Sequence, residues 1–191
     1  MKITEERIRE MLVKAQKAGV CNSAMEDIAE CLETGGVTAV LESEHAPEWT
    51  VWYACYVLKR RWPAAEKIIL KNRYDAYKYA KNVIKGRWPE AEGRIMSSPY
   101  FSQLYARNVI KGRWPEAEEV IRKDAAVACD YAHYVIKARW PEAEDVICTD
   151  AQAACNYARY IIKVRWPEAE EELRMDAEAV YKYACEIIKA H

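Results

Sequence analysis

The sequence predicts an all-α protein, an α-solenoid of 26-residue two-helix repeats behind an N-terminal helical cap, and three observations predict it. Trp62, Trp88, Trp114, Trp140 and Trp166 stand 26 residues apart, and each is followed by proline. Tyr-Ala pairs keep the same period at 53–54, 79–80, 105–106, 131–132, 157–158 and 183–184. The composition agrees: 51% of the chain is apolar and 31% charged, with only 6 Gly and 7 Pro in 191 residues, a balance that folds and favours helix over disorder.

Residues 1–45 do not repeat and read as the cap. Thr4 is placed to cap a helix over Glu5–Lys17 ahead of Gly19, and a second helix spans about Ser23 to Leu32 before Gly35-Gly36. Residues 46–191 read as five units of 26 residues and a terminal helix.

Within a unit, proline after tryptophan suits the first helical position, where its missing N–H costs nothing and its φ is already helical. A short helix A therefore starts at Pro89. Glu90 and Glu92 put negative charge in its first turn, and Ala91 and Ile95 form a narrow apolar stripe. It ends before a position held by Asn72, Ser98, Asp124, Asp150 and Asp176, all good N-caps for the helix that follows. Helix B runs from about 99 to 111, and Tyr105, Ala106, Val109 and Ile110 share its buried face. Gly86 and Gly112 look like left-handed C-caps, but Arg60, Ala138 and Val164 occupy the same position, so the sequence predicts no general left-handed cap there.

The string Val-Ile-Lys-Gly-Arg-Trp-Pro-Glu-Ala-Glu, at 83–92 and again at 109–118, resembles a tandem helical repeat of largely uncharacterised proteins of bacteriophages and some bacteria. The resemblance covers about three quarters of the chain. It implies the helical-repeat fold, a cytoplasmic setting (the host cytoplasm if phage-encoded) and an accessory role acting on host or defence components. It brings no functional residues with it.

Lys and Arg number 29 against 30 Asp and Glu, so a net charge near −1 gives no general attraction to nucleic acid or anionic membrane. No apolar run is long enough to span a bilayer, and the N-terminus does not read as a signal peptide. The 7 cysteines contain no C-x-x-C pair, which predicts buried reduced thiols rather than a disulfide framework or zinc site. His45, His133 and His191 lie far apart and no G-x-S-x-G or H-E-x-x-H occurs, so the sequence points to no enzyme, no catalytic residue, no metal and no cofactor.

Function is therefore sought in binding. The repeated Lys-x-Arg-Trp ladder invites a phosphate track, but Glu66, Glu92, Glu118, Glu144 and Glu170 recur beside it, which predicts structural ion pairing with tryptophan packed between units. Two columns of helix B vary while their neighbours stay fixed: Cys55, Lys81, Arg107, His133, Arg159, Cys185, and Tyr56, Asn82, Asn108, Tyr134, Tyr160, Glu186. In repeat arrays the varied exposed positions face partners, so Lys81, Arg107, His133, Arg159, Tyr134 and Tyr160 form the candidate surface for a protein partner. The alternative occupant is a small anionic nucleotide or nucleic acid held by the basic positions. A third reading is homo-oligomerisation through an uncapped C-terminal end around Tyr181, Cys185 and Ile188.

Overall fold

The computed structural model describes residues 10, 13, 16, 17, 22–43 and 46–188. Most of the helix expected over Glu5–Lys17, with its Thr4 cap, lies outside that set. All regular structure among the described residues is helical. The chain forms two compact units, Met1–Arg94 and Ile95–His191.

In the first unit, α1 (Asn22–Thr34) matches the second expected cap helix. The glycines that follow do not lead into a loop. Gly36 takes φ +66, which glycine tolerates, and α2 (Gly36–Glu42) starts at once, a helix the sequence reading lacked. Next come α3 (Ala46–Tyr53), α4 (Pro63–Ile69), α5 (Arg73–Tyr79) and the start of α6 (Pro89–Ile95). Ile28, Leu32 and Val40 pack with Trp49, Trp52 and Tyr53 in one core, so α1 and α2 cover the first repeat. The second unit holds α7 (Pro99–Tyr105), α8 (Pro115–Ile121), α9 (Ala125–Tyr131), α10 (Pro141–Ile147), α11 (Ala151–Tyr157), α12 (Glu170–Leu173, entered through a 3₁₀ turn) and α13 (Ala177–Tyr183). Each unit is a run of helix pairs, and α7, α9, α11 and α13 pack in succession, as an α-solenoid requires.

The local signals act as expected. The tryptophan carbonyl accepts the N–H three residues on in each A helix, as Ala117 to Trp114 at 2.9 Å. Asn72, Asp124, Asp150 and Asp176 cap the B helices through their side chains. Ser98 takes the same extended backbone but makes no side-chain cap bond. Ala91 and Ile95 are fully buried, whereas Val109 and Ile110 are only half-buried, so the B-helix stripe is narrower than expected.

The end of helix B departs from the sequence reading. Its last five residues widen into a π turn, for example Ala106–Ile110 after α7 and Ala132–Ile136 after α9. The turn closes with an N–H bonding to the carbonyl five residues back: Lys111 to Ala106 at 2.7 Å, Lys137 to Ala132 at 2.7 Å. A left-handed cap is therefore general, but it sits on the lysine and not on the glycine position after it. Lys59, Lys85, Lys111, Lys137 and Lys163 all have φ between 53 and 61. A left-handed lysine costs roughly 1–2 kcal/mol. A cation at a helix C-terminus returns roughly 0.3–1 kcal/mol, which offsets only part of that cost.

The ladder arginines are structural. Arg113 grips Glu118 with two bonds of 2.8 and 2.7 Å, and the same bidentate pair forms at Arg61–Glu66, Arg87–Glu92, Arg139–Glu144 and Arg165–Glu170. The tyrosine at the end of the following B helix completes the clasp. Tyr131 donates its hydroxyl to Glu118 at 3.0 Å and accepts the Trp114 backbone N–H at 2.7 Å; Tyr79, Tyr157 and Tyr183 do the same with their own glutamates and tryptophans. The ring of that tyrosine packs on the next tryptophan, Tyr131 on Trp140 at 5.1 Å between centroids. One side chain thus closes its own hairpin with its hydroxyl and holds the next with its ring. The bond from Arg113 keeps the Glu118 carboxyl below the ordinary range, and burial pushes the Tyr79 hydroxyl up to about 12 and those of Tyr131 and Tyr157 in the same direction.

All described cysteines are unbridged, but only Cys129 and Cys155 are buried. Cys31, Cys55, Cys148 and Cys185 are half-buried, which corrects the expectation of wholly buried thiols. Cys21 lies outside the described residues.

Candidate binding edge

The variable columns sit on the π turns, where each B helix ends and the wider turn fans its side chains outward. In the second unit this brings the varied residues into one strip. The Arg107 guanidinium lies over the Tyr134 ring, 3.6 Å from its centroid. His133 meets Tyr134 edge-on at 4.4 Å and the Tyr160 ring of the next B helix at 5.0 Å. Arg159 stands 4.9 Å over Tyr160 and pairs with Glu186 at 2.5 Å. Asp130, one turn earlier on α9, acts electrostatically on both Arg107 and His133.

Five of the six candidate partner residues therefore form a continuous cationic and aromatic strip across the π turns that follow α7, α9 and α11. Tyr134 and Tyr160 remain 41% and 43% exposed, a large fraction for tyrosines held by neighbours. Lys81 lies in the first unit, where its Nζ stays near its own helix, 3.4 Å from the Tyr77 hydroxyl. The residues named for self-association are accessible: Tyr181 is 69% and Ile188 49% exposed, with Cys185 half-buried.

A small pocket opens beside the strip. Arg107, Lys111 and Gly112 line one side and Tyr134, Val135 and Lys137 the other, enclosing about 160 Å³. The first unit repeats the arrangement with Cys55, Tyr56 and Lys59 facing Asn82 and Lys85 around about 290 Å³. Both pockets lie between the left-handed lysines of two consecutive repeats, and neither has a carboxylate in its lining. Lys59, Lys85, Lys111 and Lys137 make no ion pair among the described residues, in contrast to the ladder arginines. The sequence reading took lysine and arginine as one ladder; the structure separates the paired arginines from Lys59, Lys85, Lys111 and Lys137.

Regular two-helix repeats of 26 residues are what the chain is. Comparison with protein-family models, with curated proteins and with solved structures finds no match. Among the described residues no three His, Cys, Asp or Glu gather as metal ligands, and no helix is long and apolar enough to cross a membrane.

Proposed function

We propose that the chain is a non-enzymatic binding protein whose B-helix edge engages a protein partner. The observation that carries this reading is the strip Arg107, Tyr134, His133, Tyr160 and Arg159: these positions vary between repeats on a copied framework, yet touch one another across three helices. Arginine and tyrosine are the residues that anchor protein interfaces, and here they are ordered before any partner arrives, which lowers the entropy lost on binding. The resemblance of the Val-Ile-Lys-Gly-Arg-Trp-Pro-Glu-Ala-Glu string to phage repeats supports a phage accessory protein acting on host or defence proteins in the cytoplasm.

The alternative, a nucleotide sequestered by the basic positions, draws on the cationic pockets. The pocket beside the strip, about 160 Å³, is smaller than the roughly 300 Å³ at which small-molecule sites begin, and that of the first unit, about 290 Å³, is close to it. The test is capture of partners from the source cells by the wild-type chain and by Tyr134→Ala/Tyr160→Ala, with native mass spectrometry of the purified protein alongside. A protein retained in moderate salt by the wild type and lost by the variant supports the reading. Equal capture by both, or a retained mass of nucleotide size, overturns it.

A further inference from the structure

We infer that the pocket beside the strip is an oxyanion site that takes one phosphomonoester, carried on a phosphorylated side chain of the partner. The inference rests on the protein-partner reading above and names the chemistry that this one pocket accepts. Arg107, Lys111, Gly112, Tyr134, Val135 and Lys137 all belong to the second unit, so the site is complete within it.

Charge is the first support. Arg107, Lys111 and Lys137 face one cavity with no carboxylate in its lining, and Asp130 acts on Arg107 from outside that lining. Three cations and one acid leave two positive charges for a ligand to meet. A phosphomonoester carries about −1.5 to −2 at pH 7, whereas a carboxylate carries a single charge and leaves the site half neutralised.

The arginine is the second. Its guanidinium lies over the Tyr134 ring, 3.6 Å from the centroid, a stacking contact that holds the group in place and leaves its N–H edge to donate in pairs to an oxyanion. Two repeats on, the array supplies such an acceptor itself. Arg159 holds the column of Arg107 and pairs at 2.5 Å with Glu186, which holds the column of Tyr134. Where Glu186 brings an anion to one arginine, Tyr134 brings a ring to the other, and the anion for Arg107 has to come from outside the chain.

Size and access are the third. The cavity of about 160 Å³ admits a group rather than a whole nucleotide, since small-molecule sites begin at roughly 300 Å³. On its rim, Gly112 does not take positive φ, and a Cβ built there would meet no heavy atom within 4 Å. Ala138 and Val164 stand at the same position of later repeats, so neither backbone nor packing asks for glycine. Its absent side chain keeps that edge of the pocket open.

The experiment is an NMR titration of the isotope-labelled full chain with four probes: a neutral peptide bearing one phosphoserine, the same peptide with glutamate in its place, inorganic phosphate alone, and an oligothymidylate without a terminal phosphate. The phosphoserine peptide is expected to shift the amide signals of Lys111, Gly112 and Lys137 and to bind about tenfold more tightly than the glutamate peptide. Inorganic phosphate should shift the same signals more weakly. Lys111→Asn/Lys137→Asn removes charge while keeping a residue at ease with positive φ, and should weaken the phosphopeptide about tenfold. Gly112→Val installs the side chain found at Val164 and should block the peptide while melting like the wild type.

Four results overturn the inference: a phosphoserine peptide that binds no better than the glutamate one, binding indifferent to Lys111 and Lys137, tighter binding of the oligothymidylate, or inorganic phosphate binding as tightly as the peptide, which makes the ligand a free ion. A captured partner that depends on Tyr134 and Tyr160 but stays bound after phosphatase treatment rejects the phosphate inference alone. Capture indifferent to the tyrosines rejects the reading beneath it.

Discussion

The two ends of one B-helix turn follow opposite rules. At Tyr131 the chain builds the clasp with Glu118, Arg113 and Trp114, using residues copied in nearly every repeat. Two and three residues later, at His133 and Tyr134, it builds the edge from positions that take several different residues along the array. The clasp's tyrosine is wholly buried and its glutamate 15% exposed beneath an arginine that is 51% exposed, and a substitution there breaks several bonds at once. The edge is exposed, and its contacts are ring faces and solvated charges that many side chains can replace. Constancy thus goes with the bonds a side chain makes within its own hairpin, and the comparison separates the residues that hold the stack from those that vary along the exposed edge.

Four substitutions and one pH profile test that division. Trp140→Ala removes a side chain that is 2% exposed and carries the Tyr131 ring, and is expected to cost about 3–5 kcal/mol in denaturant unfolding. A loss under about 1 kcal/mol would mean that the tryptophan does not hold the stack. Glu144→Gln breaks the bidentate Arg139 pair and weakens the Tyr157 bond, for an expected loss of about 2 kcal/mol.

The same clasps set the pH response. Bonds from arginine lower the Glu66, Glu118 and Glu144 values below 4.5, so their stabilisation is present above about 4.5 and disappears as pH falls through the lowered values. The Tyr79 hydroxyl is raised from 10.0 to about 12, so its contribution is whole below 10 and is lost as pH climbs toward 12. Melting temperature against pH should show both limbs, and Glu144→Gln should soften the acid one; an unchanged acid limb in that variant removes the clasp from the account.

Gln103 sharpens the comparison from inside the framework. It is 2% exposed, its amide nitrogen lacks a hydrogen-bond partner, and the same position holds Cys129 and Cys155 in later repeats. Gln103→Cys is expected to stabilise by about 1 kcal/mol, and calorimetry showing a lower melting temperature would contradict it. The smallest effect belongs to the edge. His133→Ala should change stability by no more than about 0.5 kcal/mol, and a larger loss would place His133 in the framework.

Much of this architecture was legible in the sequence because its signals are local. Trp-Pro marks each A helix through proline's own geometry, and Asn72, Asp124, Asp150 and Asp176 cap through their own side chains. Periodicity also picked out the edge columns. The left-handed lysine was not legible, because lysine has no preference for positive φ and the adjacent glycines at 86 and 112 drew the cap to themselves. Helix α2 was missed for a related reason: Gly36 signals a break but not the restart that follows it. The order of contacts along the strip depends on how neighbouring B helices pack, and no single unit of sequence encodes that. The difference between Lys111 and Arg113 was hidden for the same reason, since only the folded hairpin brings Glu118 to Arg113 and leaves Lys111 aside.

The polar bonds of each clasp run between residues of one contiguous stretch, as from Arg113 to Tyr131. A duplication or deletion of whole repeats therefore cuts no clasp in half, and every junction it creates presents the same tyrosine ring to the same tryptophan. Gene lineages of such a chain can lengthen or shorten by recombination between near-identical segments while each copy stays foldable. The reach of the molecule would then evolve in whole-repeat steps, independently of the point mutations that retune each position along its edge.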